Sequence, residues 1–276
     1  MARSGTDRSG EGAPRVRTPG EAERRGGFRR DLIANLWVIA ALIAGMQFWS
    51  MVAPPYIMPP PATSLETTGT VLQEDWRHIL YTITRLVVSV GFALVVGSLI
   101  GALMAMIRPI QPYLMSIVVI DTGIPALSWM LFSVFWFKDP ETRVFFILAM
   151  ILIPFYALNV YDGIRALSRD LVEMVETFRP TRIEVFRHLI LPHVVPYILM
   201  TTKSIIGYAT RMTAFAELVS VNTGMGARMG LAQNNLAMDG VIAWTILLVF
   251  LNLAVQGLVS LAEKSLLRWR PEVEVR

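Results

Sequence analysis

Cysteine is absent from the 276 residues, which excludes disulfides and thiolate metal sites. Histidine is nearly absent. His78, His188 and His193 are too few and too scattered for a metal cluster. Charge is scarce too, at 17% of residues against 54% hydrophobic, with a mean hydropathy of +0.52. Soluble domains carry about 25% charged residues, so this composition points to lipid. No Ser-His-Asp order, carboxylate pair or HExxH-like spacing stands in a sensible place for catalysis. The GxxxxGK[ST] phosphate loop is missing as well, so the chain is expected to bind no ATP and to be no enzyme. No internal repeat suggests the paired halves of a secondary transporter.

What is present is a series of long apolar runs. A bilayer core needs about 20 apolar residues per helix. Six stretches meet that length, at roughly 32–52, 83–106, 113–137, 143–161, 194–220 and 240–262. Lipid offers no partner to free backbone groups, so these runs are predicted helices. The expected fold is all-α: a polytopic membrane bundle of about six spans with a cytoplasmic loop between spans four and five.

The pI near 9.6 suggests nucleic acid at first sight, but the placement of the basic residues argues for topology instead. Eighteen Lys and Arg fall on one side of the spans and four on the other. The rich side holds the first 30 residues, Arg108, the loop after span four and the C-terminus. By the positive-inside rule both termini are cytoplasmic, and the expected location is a bacterial inner membrane. Residues 1–30 read as a disordered basic tail, 31–270 as the membrane domain and 271–276 as a short C-terminal tail. The run Pro54, Pro55, Pro59, Pro60 and Pro61 favours an extended segment. A short interfacial helix is predicted after it, with Leu72, Trp76 and Ile79 on one face.

The loop at about 165–192 is too polar to cross a bilayer. Leu171, Met174, Val175 and Phe178 share a helical face, with Glu173 and Glu176 on or beside the other. Pro180 disfavours helix at Arg179, which marks a corner. Thr181 can cap a second helix, and Glu184 three residues on completes a capping box. Val185, Phe186 and Leu189 give that helix an apolar face. Two short helices at a tight corner make a stiff knob. Periodicity alone equally allows a hairpin lying on the membrane surface.

This segment resembles the EAA loop of binding-protein-dependent ABC transporter permeases. Glu173 takes the Glu position, and Leu189, Leu191 and Pro192 the closing ones. Met174 and Val175 stand where the family has Ala. Arg179 stands where it has Gly, so the corner must turn differently. Further pieces are similar to the nitrate/sulfonate/taurine/bicarbonate branch: MPPPATSLETTGTVL, WRHILYTITRLVVSVGFALVVGSLIGALMA from Trp76, IPALSWMLFSVFWF from Ile124, Glu217 with Thr223-Gly224-Met225-Gly226, and KSLLRWR from Lys264. The resemblance implies a translocation path formed with a second permease subunit, expected to be an identical copy. It also implies a cytoplasmic ATPase pair gripping the knob through Glu173, Glu176, Phe178, Arg179, Pro180, Thr181 and Phe186, and an external binding protein. ATP would be used by the partner, no cofactor by this chain, and no nucleic acid is expected. The implied cargo is a small anion of the nitrate, alkanesulfonate or taurine type, with a heterocyclic vitamin precursor or aromatic carboxylate as the alternative. An ATP-independent transporter or channel is the rival class.

Ionisable groups at membrane depth mark pathways or packing pairs. Asp121 lies four residues before Pro125, where a broken helix would free carbonyls toward a cavity. Asn159 is either a pathway group or interhelical glue. Arg211 either faces a cavity and contacts an anion or pairs with Asp121 or Glu217. Lys203 is expected to snorkel to the interface. Glu217 is expected near the outer end of the substrate pathway, in a structural role at a dimer seam or gate ahead of a substrate contact. Gly97 and Gly101 form a GxxxG that favours close packing within the subunit.

Overall fold

The computed structural model describes residues 20–168, 174, 175, 177 and 181–266. Its first unit carries one helix, α1 (Gly20–Ser50), whose apolar part is Leu36–Ser50. This helix therefore reaches into the stretch read as tail.

The second unit contains α2 (Pro61–Glu74), α3 (Trp76–Met106), α4 (Gln111–Gly123), α5 (Ala126–Trp136) and α6 (Pro140–Arg165). After the loop come α7 (Arg182–Val185), a π-helical turn (Phe186–Ile190), α8 (Leu191–Ser220), α9 (Met225–Asn234) and α10 (Met238–Leu266). No strand occurs among the described residues. Proline opens several of these helices, at Pro61, Pro112, Pro140 and Pro192. There its missing N–H is one the helix would leave unbonded anyway. Asp139 caps α6 by accepting from the amide and hydroxyl of Thr142 at 2.8 and 2.6 Å. Those two donors hold its carboxyl below the usual aspartate range.

The six expected spans take three forms. Four helical stretches are long and apolar enough to cross a membrane: α3, α6, the run Ile183–Ser220 and α10. The predicted third span is instead a pair, α4 and α5, bent by 96° at Ile124-Pro125. Pro125 has no N–H to continue α4, and it holds Ile124 in extended backbone. The first predicted span shows a shorter apolar helix, Leu36–Ser50, among the described residues. The second begins at Trp76 rather than at residue 83. Because α2 and α3 separate at Asp75, Leu72 and Trp76 do not share one continuous helical face.

The core lies where α3, α6 and α8 meet. Leu86 and Ala93 from α3, Ile147, Leu148, Leu152 and Tyr156 from α6, and Ile206 and Ala209 from α8 are buried together. Lipid tails are as apolar as leucine, so close backbone approach has to hold such a bundle. Gly97 and Gly101 supply it, as the GxxxG reading expected. A methyl group on Gly97 would sit 2.6 Å from the Ile153 carbonyl and from Tyr156 Cβ. On Gly101 it would strike the Ala157 carbonyl. Gly207 on α8 likewise abuts Asn252 and Gln256 of α10.

Candidate functional site

Three features of the second unit stand out chemically. The first is a polar knot at the end where α3 begins and α8 finishes. Glu217 is completely buried there. Arg85 of α3 donates to Glu217 Oε1 at 2.8 Å, and through Nε to Glu141 Oε2 at 2.7 Å. It also donates to the Thr223 carbonyl at 2.6 Å and the Thr223 hydroxyl at 2.8 Å. Thr82 donates to Glu217 at 2.9 Å, and the Gly226 amide donates to its Oε2 at 3.0 Å. The Gly224 amide donates to His78 Nδ1 at 3.0 Å. Gly224 adopts φ +110°, and a side chain there would run into the Glu217 carboxylate. Glycine is thus needed both for the backbone region and for the space.

This knot joins α3, α6, α8 and the turn into α9. Glu217 is thus a buried carboxylate whose oxygens are met by several donors, one of them a guanidinium. Arg85 escaped the sequence reading. Its signal was a polar stripe at helical spacing through an apolar run: His78, Thr82, Arg85 and Ser89.

The second feature is a cleft at the α4–α5 break, about 100 Å³ in volume. Asp121, Trp129, Met150, Pro154, Phe155 and Tyr208 are among its lining residues. Asp121 therefore sits at the break the sequence suggested. Pro125 caps α5 there but does not line the cleft. Phe155 and Tyr208 continue into a wider cleft of about 540 Å³ with Asn159, Met200, Thr201 and Ser204. Asn159 bonds its own helix, donating to the Phe155 carbonyl at 2.8 Å.

Arg211 pairs with neither candidate acid. Its Nε donates to the Gly207 carbonyl at 3.2 Å, and Glu217 is taken by Arg85. It is exposed on the α8 face that carries Ser204, Tyr208 and Phe215. Lys203 reaches Glu263 of α10 at 2.7 Å, an interhelical pair.

The third feature is the loop after α6. Of the predicted knob residues, Glu173, Glu176, Phe178, Arg179 and Pro180 lie outside the described residues, as does the side chain of Phe186. The capping box is present: the Thr181 amide donates to Glu184 Oε2 at 2.7 Å, and the Glu184 amide donates to Thr181 Oγ1 at 3.3 Å. Val185 packs against the cluster of Val160, Ile190 and Val194. The capped helix does not end at Leu191-Pro192. It passes through the π-helical turn into α8, so Ile183–Ser220 is one helical run of 38 residues. Pro192 cannot donate to the preceding turn, and the widened turn just before it absorbs that mismatch.

Residues 93–268 match the family described as binding-protein-dependent transport system inner membrane component. The chain is 30% identical over 155 residues to the putative aliphatic sulfonates transport permease protein SsuC of Escherichia coli, a match spanning 56% of this chain and 59% of that protein. It is 22% identical over 250 residues to the taurine transport system permease protein TauC of Escherichia coli, with 88% of each chain covered. Among solved structures, a bacterial ABC transporter involved in the import of the acidic polysaccharide alginate has a similar fold. The TM-score is 0.65 at 13% identity, covering 88% of this chain and 99% of that one.

Proposed function

The chain belongs to the binding-protein-dependent transport system inner membrane components, and from that premise we propose that it is the permease subunit of an ATP-driven importer for a small sulfonate-type or nitrate-type anion. It works with a second permease copy, a cytoplasmic ATPase dimer and an external binding protein. Both termini face the cytoplasm.

One observation carries this reading. The helical run Ile183–Ser220 starts at the exposed capping box, passes the cleft at Ser204 and Tyr208, and reaches the knot at Glu217. A push at one end of a stiff rod moves its other parts with it. The ATPase grips the knob beside Thr181, the rod tilts, and the cleft face of α8 moves against α5 and α6. The knot keeps the far end of the rod tied to α3 during that motion.

The orientation rests on the fate of the basic residues. At the knot end, Arg143 donates to the carbonyls of Phe137 and Ser220, and Arg228 bonds Asp75. Arg108, Arg165, Arg182, Arg187 and Lys264 collect at the opposite, knob end, which the positive-inside rule assigns to the cytoplasm.

Reconstitution of the chain with its ATPase and binding protein tests the proposal. Uptake of alkanesulfonate or nitrate should require ATP and should stop on Glu173→Lys. Uptake that persists without any ATPase would establish the rival ATP-independent class. A second cargo reading has its own support: the rings of Trp129, Phe155 and Tyr208 around the cleft favour an aromatic carboxylate or heterocycle. Competition by benzoate rather than by ethanesulfonate would select it.

A further inference from the structure

At the knob end of the bundle, one phenol joins the start of α4 to the end of α6. The Tyr161 hydroxyl accepts from Gln111 Nε2 at 2.6 Å and from Arg165 Nη1 at 2.8 Å. Tyr161 is buried with Met104, Val118 and Ala157. The Arg165 guanidinium also lies over its ring, 5.6 Å from the centroid. Two contacts thus hold an exposed cation in place, and neither neutralises it. Among the described residues Arg165 has no carboxylate partner.

Arg108 stands at the same depth. Gly97 of α3 abuts Ile153 and Tyr156 of α6, and Gly101 abuts Ala157 and Val160, so the two helices run side by side in one direction. Continuing that register brings Arg108 level with Arg165. The turn after it is tight, with the Ile107 carbonyl accepting from the amides of Ile110 and Gln111. The chain therefore returns to Tyr161 at once. Arg108 is exposed, with no partner for its charge among the described residues. Asp162, the acid nearest in sequence, is exposed as well. Two guanidiniums against one carboxylate leave the cluster positive.

From this cluster α4 runs back along α6, from Tyr161 at its start toward Pro154 at its end. Ile110, Tyr113, Ile117 and Ile120 recur at three- and four-residue spacing along it and are all exposed. Its 13 residues make a helix about 20 Å long, and one leaflet's share of the hydrocarbon core is about 15 Å. A soluble anion would use the guanidiniums and leave this face bare. A phospholipid uses both: the forks of arginine match phosphate oxygens, and acyl chains cover the apolar face.

We propose that Arg108, Gln111, Tyr161 and Arg165 form a binding site for an anionic phospholipid of the cytoplasmic leaflet, its phosphate held by the two guanidiniums and its chains laid along α4. This goes beyond the importer reading and takes from it only which end of the bundle meets the cytoplasm.

The test is thermal melting of the purified permease–ATPase complex in detergent, titrated with phosphatidylglycerol or with zwitterionic phosphatidylcholine. Phosphatidylglycerol should raise the melting temperature saturably, at far lower concentration than phosphatidylcholine. Arg108→Gln should raise the half-saturating concentration of phosphatidylglycerol about fivefold, and Arg108→Gln with Arg165→Gln about thirtyfold. The single variant decides the matter if the double one misfolds, because Arg108 is exposed. Lys264→Gln, at the end of α10, should change nothing. Equal half-saturation by the two lipids, or unchanged affinity in the arginine variants, would overturn the site. An equal loss in Lys264→Gln would replace it with diffuse attraction to the whole basic end. A matching shift from glycerol 1-phosphate would replace the lipid with a soluble phosphate. Transport is not read in this experiment, so these failures leave the importer reading standing, whereas a chain that retains no ATPase contradicts that reading and leaves the lipid titration to be read on the isolated subunit.

Discussion

Arg85 donates to Glu217 at 2.8 Å from inside the bundle, with Arg85 6% exposed and Glu217 not exposed at all. The same guanidinium reaches Glu141, which is 57% exposed. One cation thus ties a buried acid at the end of α8 to an accessible acid at the start of α6. Removing one partner of a buried pair leaves the other uncompensated, at a cost of about 3–5 kcal/mol. Glu217→Ala or Arg85→Ala should therefore lower the melting temperature of the detergent-solubilised chain sharply. Arg85→Leu combined with Glu217→Met should recover much of that loss. A single variant that melts like the parent would show the tie to be dispensable.

The glycines of α3 provide an internal comparison. Gly97→Ala and Gly101→Ala force a methyl group into the backbone of α6, whereas Gly91 has open space around it. Gly91→Ala should be neutral or stabilising by up to about 1 kcal/mol, because alanine is the better helix former. The other two should destabilise the subunit. Thermal melting of the three variants side by side reads this out, and similar melting of all three would contradict the packing described.

Arg211 is bound to its own helix and to no acid among the described residues. Arg211→Ala should therefore leave assembly and melting unchanged while lowering uptake of a sulfonate. Uptake equal to the parent would remove Arg211 from the path. Arg85→Ala should do the reverse, lowering assembly first. The contrast separates a pathway arginine from a structural one.

The capping box at Thr181 and Glu184 stiffens the start of the long helix. Thr181→Ala and Glu184→Ala should loosen the link between ATP hydrolysis and transport. The partner's ATPase rate should persist while solute moved per ATP falls. Equal coupling in both variants would show that this turn transmits no force.

Much of this architecture was legible in the chain. Apolar run length located the spans, because only helices satisfy their backbone in lipid. Pro125 marked the break beside Asp121, since proline removes a donor wherever it sits. The Thr181–Glu184 spacing marked a helix start that the structure contains. Two features were not legible. Arg85 lies inside an apolar run, and its partners lie 56 and 132 residues away in sequence. The merging of the capped turn into α8 was hidden because Leu191-Pro192 reads locally as a stop, yet proline in a first turn is tolerated and the π-helical turn carries the helix through. Arg211 stayed ambiguous for a related reason: spacing places a side chain on a face but does not choose its partner.

The absence of cysteine makes the central claim directly measurable. Ile183 is 78% exposed in the capped turn at the head of the long helix. Ile183→Cys, assembled with the partner ATPase carrying single cysteines along its membrane-facing groove, should form a disulfide crosslink whose yield changes when ATP is bound. A turn that crosslinks to no position on the ATPase in a complex still active in transport would contradict the account that this helix receives the work of ATP hydrolysis.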